Sequence, residues 1–172
     1  MIDIYSMTAE QIKAEIEALT GLIVDAVTSG ASIGFMPPLI EDEAREYWSG
    51  VIDAVRDGSR VVLVATEAGV VQGSVQLGLE KRANGNHRCE AMKLFVHTRA
   101  RRRGIAKQLM AEAEATAKKL GCTMMMMDTR KGGEADLMCQ SLGYESYGEV
   151  PGYARSGDGE LHTTVFYYRK LG

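Results

Sequence analysis

Hydrophobic residues near the start of the chain recur at three- and four-residue steps, the spacing of one apolar helix face. These residues are Ile12, Ile16, Leu19 and Ile23, and they predict a single helix. The helix comes after a short strand-like segment, Ile2–Met7, and Thr8, which stands three residues before Gln11 as in a capping box. It is expected to end near Gly30, and a second helix is predicted from about Glu41 to Val55.

An apolar loop is predicted between these two helices, at Gly30–Pro38, where glycines and two prolines interrupt the helical spacing. Phe35 and Met36 lie within it. Such a loop either covers a substrate pocket or packs on the core, and the pattern leaves both interpretations open.

Strand patterns dominate the middle of the chain. The predicted strands are Arg60–Thr66, Val70–Leu79 and Arg88–His97, with a turn at Asn84–Gly85. In the second strand, one face is predicted to carry Val71, Gly73, Val75, Leu77 and Leu79. In the third strand, Ala91, Lys93, Phe95 and His97 are expected to lie opposite Met92, Leu94 and Val96.

The remaining segments alternate between helix and strand. They are a helix at Gly104–Leu120, an apolar strand at Cys122–Asp128, a short helix at Gly133–Leu142, and strands at Tyr144–Val150 and Thr163–Leu171 joined through Pro151–Gly159. The order βααβββαβαββ predicts one α/β (α+β) domain over residues 1–172. We expect a mixed sheet of about seven strands with about four helices on its two faces.

Composition narrows the class of protein. A chain of 172 residues with 45% apolar residues can bury a core without the help of disulfides or bound metal ions. Its net charge of −3 argues against a general nucleic-acid binder. The three cysteines form no CxxC pair, which favours a reduced, cytoplasmic compartment, and no apolar run is long enough for a membrane span.

The basic charge is concentrated where a predicted strand runs into a predicted helix. Four of the five residues from Arg99 to Arg103 are arginine, and Gly104 comes next. The first amides of a helix have no intrahelical partners and favour an anion, while a small Gly104 lets a pyrophosphate approach the backbone. The alternatives are a solvated arginine run or a nucleic-acid patch.

This turn resembles the GNAT acetyltransferase superfamily, whose pattern Arg/Gln-x-x-Gly-x-Gly/Ala is met by Arg101, Gly104 and Ala106. Further segments are similar to the tabtoxin-resistance acetyltransferases. These segments are Gly30–Met36, Lys93–Leu94, Leu109–Met110, Gly148–Tyr153 and Asp158–His162. Those enzymes acetylate the amine of a small amino-acid-like β-lactam toxin.

The resemblance implies a GNAT fold and acetyl-CoA as co-substrate, without a metal. The pantetheine arm of acetyl-CoA would lie between the fourth and fifth strands, which splay apart, and would pair with backbone groups of Leu94, Phe95 and Val96. The cofactor phosphates would be held by Arg101, Arg102, Arg103, Gly104, Ile105, Ala106 and Lys107. The acceptor would be a small-molecule amine, such as tabtoxinine-β-lactam, and a homodimer is also expected.

Two carboxylates, Glu90 and Asp128, match positions that the tabtoxin-resistance enzymes use for base chemistry. We predict that Glu90 is the base, directly or through water, with Asp128 as its partner or as a substrate anchor. The alternatives are a solvent-exposed Glu at a strand end and an Asp that caps the turn at Thr129.

One position departs from the family pattern. Cys139 occupies the place where many GNAT proteins carry a tyrosine that protonates the CoA thiolate. We interpret Cys139 as a small buried hydrophobe, which leaves the general acid unassigned. Three further residues are candidates for substrate contact: Phe35, Tyr153 and His162.

Two alternative functions are compatible with the same residues. An enzyme with an open groove would be a protein or peptide N-acetyltransferase, and the apolar loop Gly30–Pro38 argues against it. A catalytically silent acetyl-CoA sensor is the other alternative, and it is kept open by Cys139.

Overall fold

The computed structural model describes residues 1–172, and seven strands in it form one sheet. The strands are β1 Ile2–Met7, β2 Arg60–Glu67, β3 Val70–Leu79, β4 Arg88–Val96, β5 Met124–Arg130, β6 Glu145–Arg155 and β7 Leu161–Lys170. Five α-helices accompany them: α1 Ala9–Ala14, α2 Ile16–Thr28, α3 Glu41–Arg56, α4 Ile105–Lys119 and α5 Glu134–Ser141. This arrangement confirms the predicted mixed α/β sheet.

The strand order across the sheet is β1-β2-β3-β4-β5-β7-β6. Only β4 and β5 pair in parallel, and all the other neighbours are antiparallel. A parallel pair needs a crossover connection, which α4 supplies together with a single 3₁₀ turn at Thr98–Ala100. The connection begins where β4 ends, so α4 starts next to the centre of the sheet.

Each face of the sheet carries its own apolar core. One face packs against α4, which contributes Ile105, Leu109, Met110, Ala113 and Ala117. The other face packs against α1, α2 and α3, whose largest buried side chains are Trp48, Ile12, Leu19, Leu22 and Ile23. The helices of the second face cover β1 to β4 and leave the face of β5 to β7 less covered.

Two bulges break the strand alternation that the sequence predicts. In β3 the register with β2 shifts near Thr66, so Val71 packs in the core under α1 to α3 and not with Val75 and Leu77. In β4 the register with β3 shifts between Phe95 and Met92. An extra residue in a strand reverses the faces of the residues after it. The predicted alternation was therefore wrong at both places.

The first predicted helix is divided in two at Glu15. Its backbone has φ −100° and ψ 17°, outside helical values, although the hydrogen bonds from the amides of Glu15 and Leu19 continue across it. Ile12, Leu19 and Ile23 are all fully buried, so the predicted apolar face is correct. The kink raises the number of helices to five.

The last hairpin is longer than predicted, because β6 continues through Pro151 to Arg155. β6 lies at the edge of the sheet, where the missing amide of a proline costs no ladder hydrogen bond. A register shift between Val150 and Ala154 accommodates Pro151. The helices are too short or too polar for any of them to span a bilayer.

Leu109 is a direct test of the packing of α4 on the sheet. It is fully buried, and its Cδ1 lies close enough to Gly73 to touch a methyl group added there, at 3.2 Å. We expect Leu109→Ala to lower the free energy of unfolding by about 2–5 kcal/mol in urea titrations, because it leaves a cavity. Lys118→Ala, at an exposed site on the same helix, should change it by less than about 0.5 kcal/mol. Equal effects of the two substitutions would contradict the assigned packing.

Candidate active site

A gap opens between β4 and β5 in the middle of the sheet. The two strands pair only over Arg88–Glu90 and Met124–Met126, whereas β4 continues to Val96 and β5 to Arg130. Beyond Glu90 the facing edges diverge, and alternate backbone amides and carbonyls of β4 point away from β3 into the gap. The gap therefore offers free backbone groups to an extended ligand.

The β4 bulge is centred on Lys93, which has a positive φ of 53°. Its ammonium group donates to the carbonyl oxygen of Ile33 and lies 5.2 Å from the ring centre of Phe35 and 5.8 Å from that of Tyr47. Burial, and then the nearby Arg60, lower the pKa of Lys93. The bulge residue thus ties the loop between α2 and α3 to the sheet.

Glu90 and Asp128 lie on the same face of the sheet, on the two sides of the gap. Glu90 pairs with Met126, and Asp128 is two residues further along β5, so its side chain projects on the same side. Both side chains reach solvent at the cleft. Surrounding protein atoms raise the pKa of each carboxyl, and the charge of Asp128 raises that of Glu90 further.

A cleft of about 560 Å³ surrounds these carboxylates. Its aromatic wall consists of Tyr147, Tyr153 and Phe166, with the rings of Tyr153 and Phe166 edge to face at 5.1 Å. A second cleft of about 830 Å³ lies between α3 and the loop that holds Phe35. Arg60 lines both clefts.

The basic turn after β4 has the geometry of an anion-binding site. Gly104 immediately precedes α4 with a positive φ of 79°, and Arg102 also has a positive φ of 61°. None of the backbone amides from Arg102 to Lys107 donates to an acceptor within the protein. Six consecutive free donors at the positive end of a helix dipole favour an anion.

The arginine side chains of this turn divide into two groups. Arg101 donates to the carbonyl oxygen of Val96 at 3.0 Å and to the hydroxyl of Ser29, and Arg103 forms a two-fold ion pair with Glu67. These two side chains hold the turn in place. The side chains of Arg102 and Lys107 have no partner within the protein, so their charges are free to meet a ligand.

The other predicted residues lie in different surroundings. Cys139 is fully buried with its Sγ 3.4 Å from Met127 Sδ, and burial raises its pKa to about 12, as expected for a small hydrophobe. Phe35 lines the second cleft and Tyr153 the first. His162 lines neither cleft. Its nitrogen lies within 4.8 Å of ligand atoms of Asp158 and Glu160, in a surface group of residues of metal-binding type.

Arg60 is the main cleft residue that the sequence analysis missed. It opens β2, where a cation is normally solvated, and no motif marks it. Arg60 lies near Glu90 because of the register of three strands, and the residues next to Arg60 in the sequence do not indicate this register. Tyr147 and Phe166 were missed for the same reason, because the aromatic wall depends on how β6 and β7 pair.

Comparisons with known proteins agree with this geometry. A sequence model described as the acetyltransferase (GNAT) family matches residues 28–144, more than half of the chain. Among solved structures, the ribosomal-protein-alanine N-acetyltransferase of Brucella melitensis is 24% identical with a TM-score of 0.80, and the match covers 98% of this chain and 99% of that one.

Two further structures are comparably similar. The provisionally assigned acetyltransferase yncA of Salmonella typhimurium, solved with its cofactor acetyl-CoA, is 20% identical with a TM-score of 0.81, covering 100% of this chain and 95% of that one. A provisionally assigned phosphinothricin N-acetyltransferase is also 20% identical, with a TM-score of 0.81 and coverage of 100% and 99%. At these identities the likeness shows the fold alone.

Coupling between the two carboxylates can be measured directly. We expect a ¹³C NMR titration of Glu90 to give a pKa above its usual value of 4.5. In Asp128→Asn this pKa should fall, because a neighbouring negative charge no longer opposes ionisation. Asp158→Asn, an exposed position outside the cleft, should leave it unchanged. If the Asp128 variant titrated like the wild type, the two carboxylates would not interact.

Proposed function

Because the chain belongs to the acetyltransferase (GNAT) family, we propose that it transfers an acetyl group from acetyl-CoA to the amine of a small molecule. The observation that carries this proposal is the run of free amides from Arg102 to Lys107, directly after the strand that borders the gap. A nucleotide diphosphate satisfies such donors, and the gap continues from them to Glu90 and Asp128.

The cofactor would be held mainly by backbone groups. The amides of Arg102, Arg103, Gly104, Ile105, Ala106 and Lys107 would donate to the diphosphate. The free side chains of Arg102 and Lys107 would add charge, while Arg101 would fix the turn through Val96. The pantetheine arm would lie along Leu94, Phe95 and Val96 as an added strand.

The positions of the carboxylates suggest how the acetyl transfer would proceed. Glu90 would accept a proton from the incoming ammonium group, directly or through a water, and Asp128 would hold that group by its charge. The neutral amine would attack the thioester carbon, the C–S bond would break, and the second amine proton would leave once the amide has formed. Amides of β4 would stabilise the negative charge developing on the thioester oxygen.

The pKa directions support Glu90 as the base. A carboxylate works best as a general base when its pKa lies nearer the operating pH, and the pKa of Glu90 is raised. Cys139 is buried with a raised pKa, so it does not supply the acid for the departing thiolate. The thiolate would be protonated by solvent.

A small acceptor is favoured over a peptide by contacts around the cleft. A methyl group added at Gly157, in the turn between β6 and β7, would lie 2.7 Å from Pro37 Cγ in the α2–α3 loop. The two segments therefore touch, which narrows access to the sheet face of Glu90. The sequence resemblance supports an amino-acid-like toxin such as tabtoxinine-β-lactam as the acceptor.

Cofactor binding through the turn predicts a defined pattern of affinities in calorimetry. Lys107→Ala should weaken acetyl-CoA binding by about 10–100-fold, because a charge-assisted hydrogen bond is lost. Gly104→Val should weaken it more, because a β-branched residue does not adopt a φ of 79° without strain. Lys118→Ala removes a charge from the far end of the same helix and should have no effect. Normal affinity in both turn variants would contradict the proposed site.

Removal of the base should separate turnover from binding. With a panel of free amino acids and simple amines, we expect Glu90→Gln to lower kcat by about 10²–10⁴-fold. Acetyl-CoA affinity should stay the same, since Glu90 lies outside the basic turn. Glu134→Gln, at an exposed site on α5, serves as the matched control. If the wild type binds acetyl-CoA but acetylates no amine of this panel, the small-molecule acceptor is contradicted, and a peptide acceptor or a sensor role takes its place.

A further inference from the structure

Arg60 and Glu90 stand in one row across the sheet. Arg60 pairs with Gly78, and Gly78 pairs with Glu90, so all three residues present the same face. Two strand spacings separate Arg60 from Glu90, which places their Cα atoms about 9–10 Å apart. The residue between them, Gly78, has no side chain, and the flexible end of Met92 lies over it.

The end of the Met92 side chain is the nearest group to Gly78 on this face. A methyl group added there would lie 2.7 Å from Met92 Cε. The row therefore presents a cation, a position with no side chain of its own and a carboxylate, with the flexible end of Met92 over the middle position. Both Arg60 and Gly78 line the cleft that holds Glu90.

Arg60 has unused hydrogen-bonding capacity. Its Nη1 donates to Gln76 Oε1 at 2.7 Å, but its buried Nε has no partner, and Arg60 forms no ion pair. Gln76 is fully buried and also accepts from the Tyr47 hydroxyl at 3.0 Å, while its own Nε2 has no partner. A guanidinium held by a neutral amide, with donors unsatisfied, is arranged to receive an anion.

The negative side of the cleft is unpaired as well. Neither Glu90 nor Asp128 forms a hydrogen bond or an ion pair with a cationic side chain, although Arg60 and Lys93 lie close enough to lower the pKa of Glu90. Separated, unpaired charges of opposite sign on one cleft wall are complementary to a molecule that carries both signs.

We propose that Arg60 is a specificity-determining residue that binds the negatively charged group of the acceptor, so that the preferred acceptor is an amine that also carries a carboxylate or similar anion. The proposal rests on the proposed acetyl transfer at Glu90. Lys93 does not fill this role, because its ammonium group is already engaged with Ile33 and two aromatic rings. Gln76 acts as a positioning residue that sets the guanidinium plane.

The test compares free L-amino acids with their C-terminal amides, which keep the amine and lose the negative charge. In the wild type we expect kcat/KM for the best acids to exceed that for the matching amides by at least about 10-fold. Arg60→Gln should lower kcat/KM for the acids by about 10–100-fold more than for the amides, which removes the preference, because a change in the pKa of Glu90 affects both classes alike. Arg60→Lys should retain part of the preference for acids, since lysine keeps the positive charge but lacks the two parallel N–H donors of the guanidinium group.

Two controls distinguish a lost preference for acids from misfolding of the variant and from failure of the proposed acetyl transfer. Arg82→Gln, an exposed arginine on the β3–β4 connection, should alter neither class of acceptor, and thermal unfolding checks that the Arg60 variants are folded. Equal turnover of acids and amides by the wild type, or an unaltered preference in Arg60→Gln, overturns the role of Arg60 while the acetyl transfer stands. No turnover of any amine, despite acetyl-CoA binding, overturns both proposals.

Discussion

The site depends on the early end of pairing between β4 and β5. Only three residues of each strand pair, and then the bulge at Lys93 turns β4 away. That one extra residue has several consequences. It leaves backbone groups free along the gap, it places Phe95 and Val96 on faces opposite to those of a regular strand, and it directs Lys93 towards the loop at Ile33. The basic turn begins where this bent strand ends, so the free amides of the turn and the carboxylate cleft lie along the same strand.

Most of the fold could be predicted from the sequence because its signals are local. Periodicity, glycines and capping residues mark the order of helices and strands, and helix-start chemistry marks the turn around Gly104. Glu90 and Asp128 were predicted from the resemblance to the tabtoxin-resistance acetyltransferases, and the structure places them on one face of the sheet. The bulge at Lys93 has no such mark, because an extra residue in a strand leaves the hydrophobic pattern almost unchanged. Arg60 was missed because its place in the cleft depends on strand register, which pairs it with Gly78 and so puts it in one row with Glu90.

The distribution of charge explains how a chain of net charge −3 can serve an anionic cofactor. The side chains of Arg101 and Arg103 are already bonded to Val96 and Glu67. The positive potential at the turn therefore comes from the free backbone amides and from the side chains of Arg102 and Lys107. The charged side chains of the cleft, in contrast, form no ion pairs. They are Glu90, Asp128 and Arg60. Unpaired, partly desolvated charges cost stability, and their presence together is typical of a site that acts on a ligand.

Backbone amide hydrogen exchange in the presence and absence of acetyl-CoA tests the central claim most directly. If the gap and the turn form one binding site, acetyl-CoA should slow exchange at Arg102–Lys107 and at gap-facing amides of Leu94–Val96, which have no strand partner on the β5 side. Amides of α1, which lines neither cleft, should serve as an internal reference and stay unchanged. Unaltered exchange at both segments, with acetyl-CoA present at saturating concentration, would contradict the account.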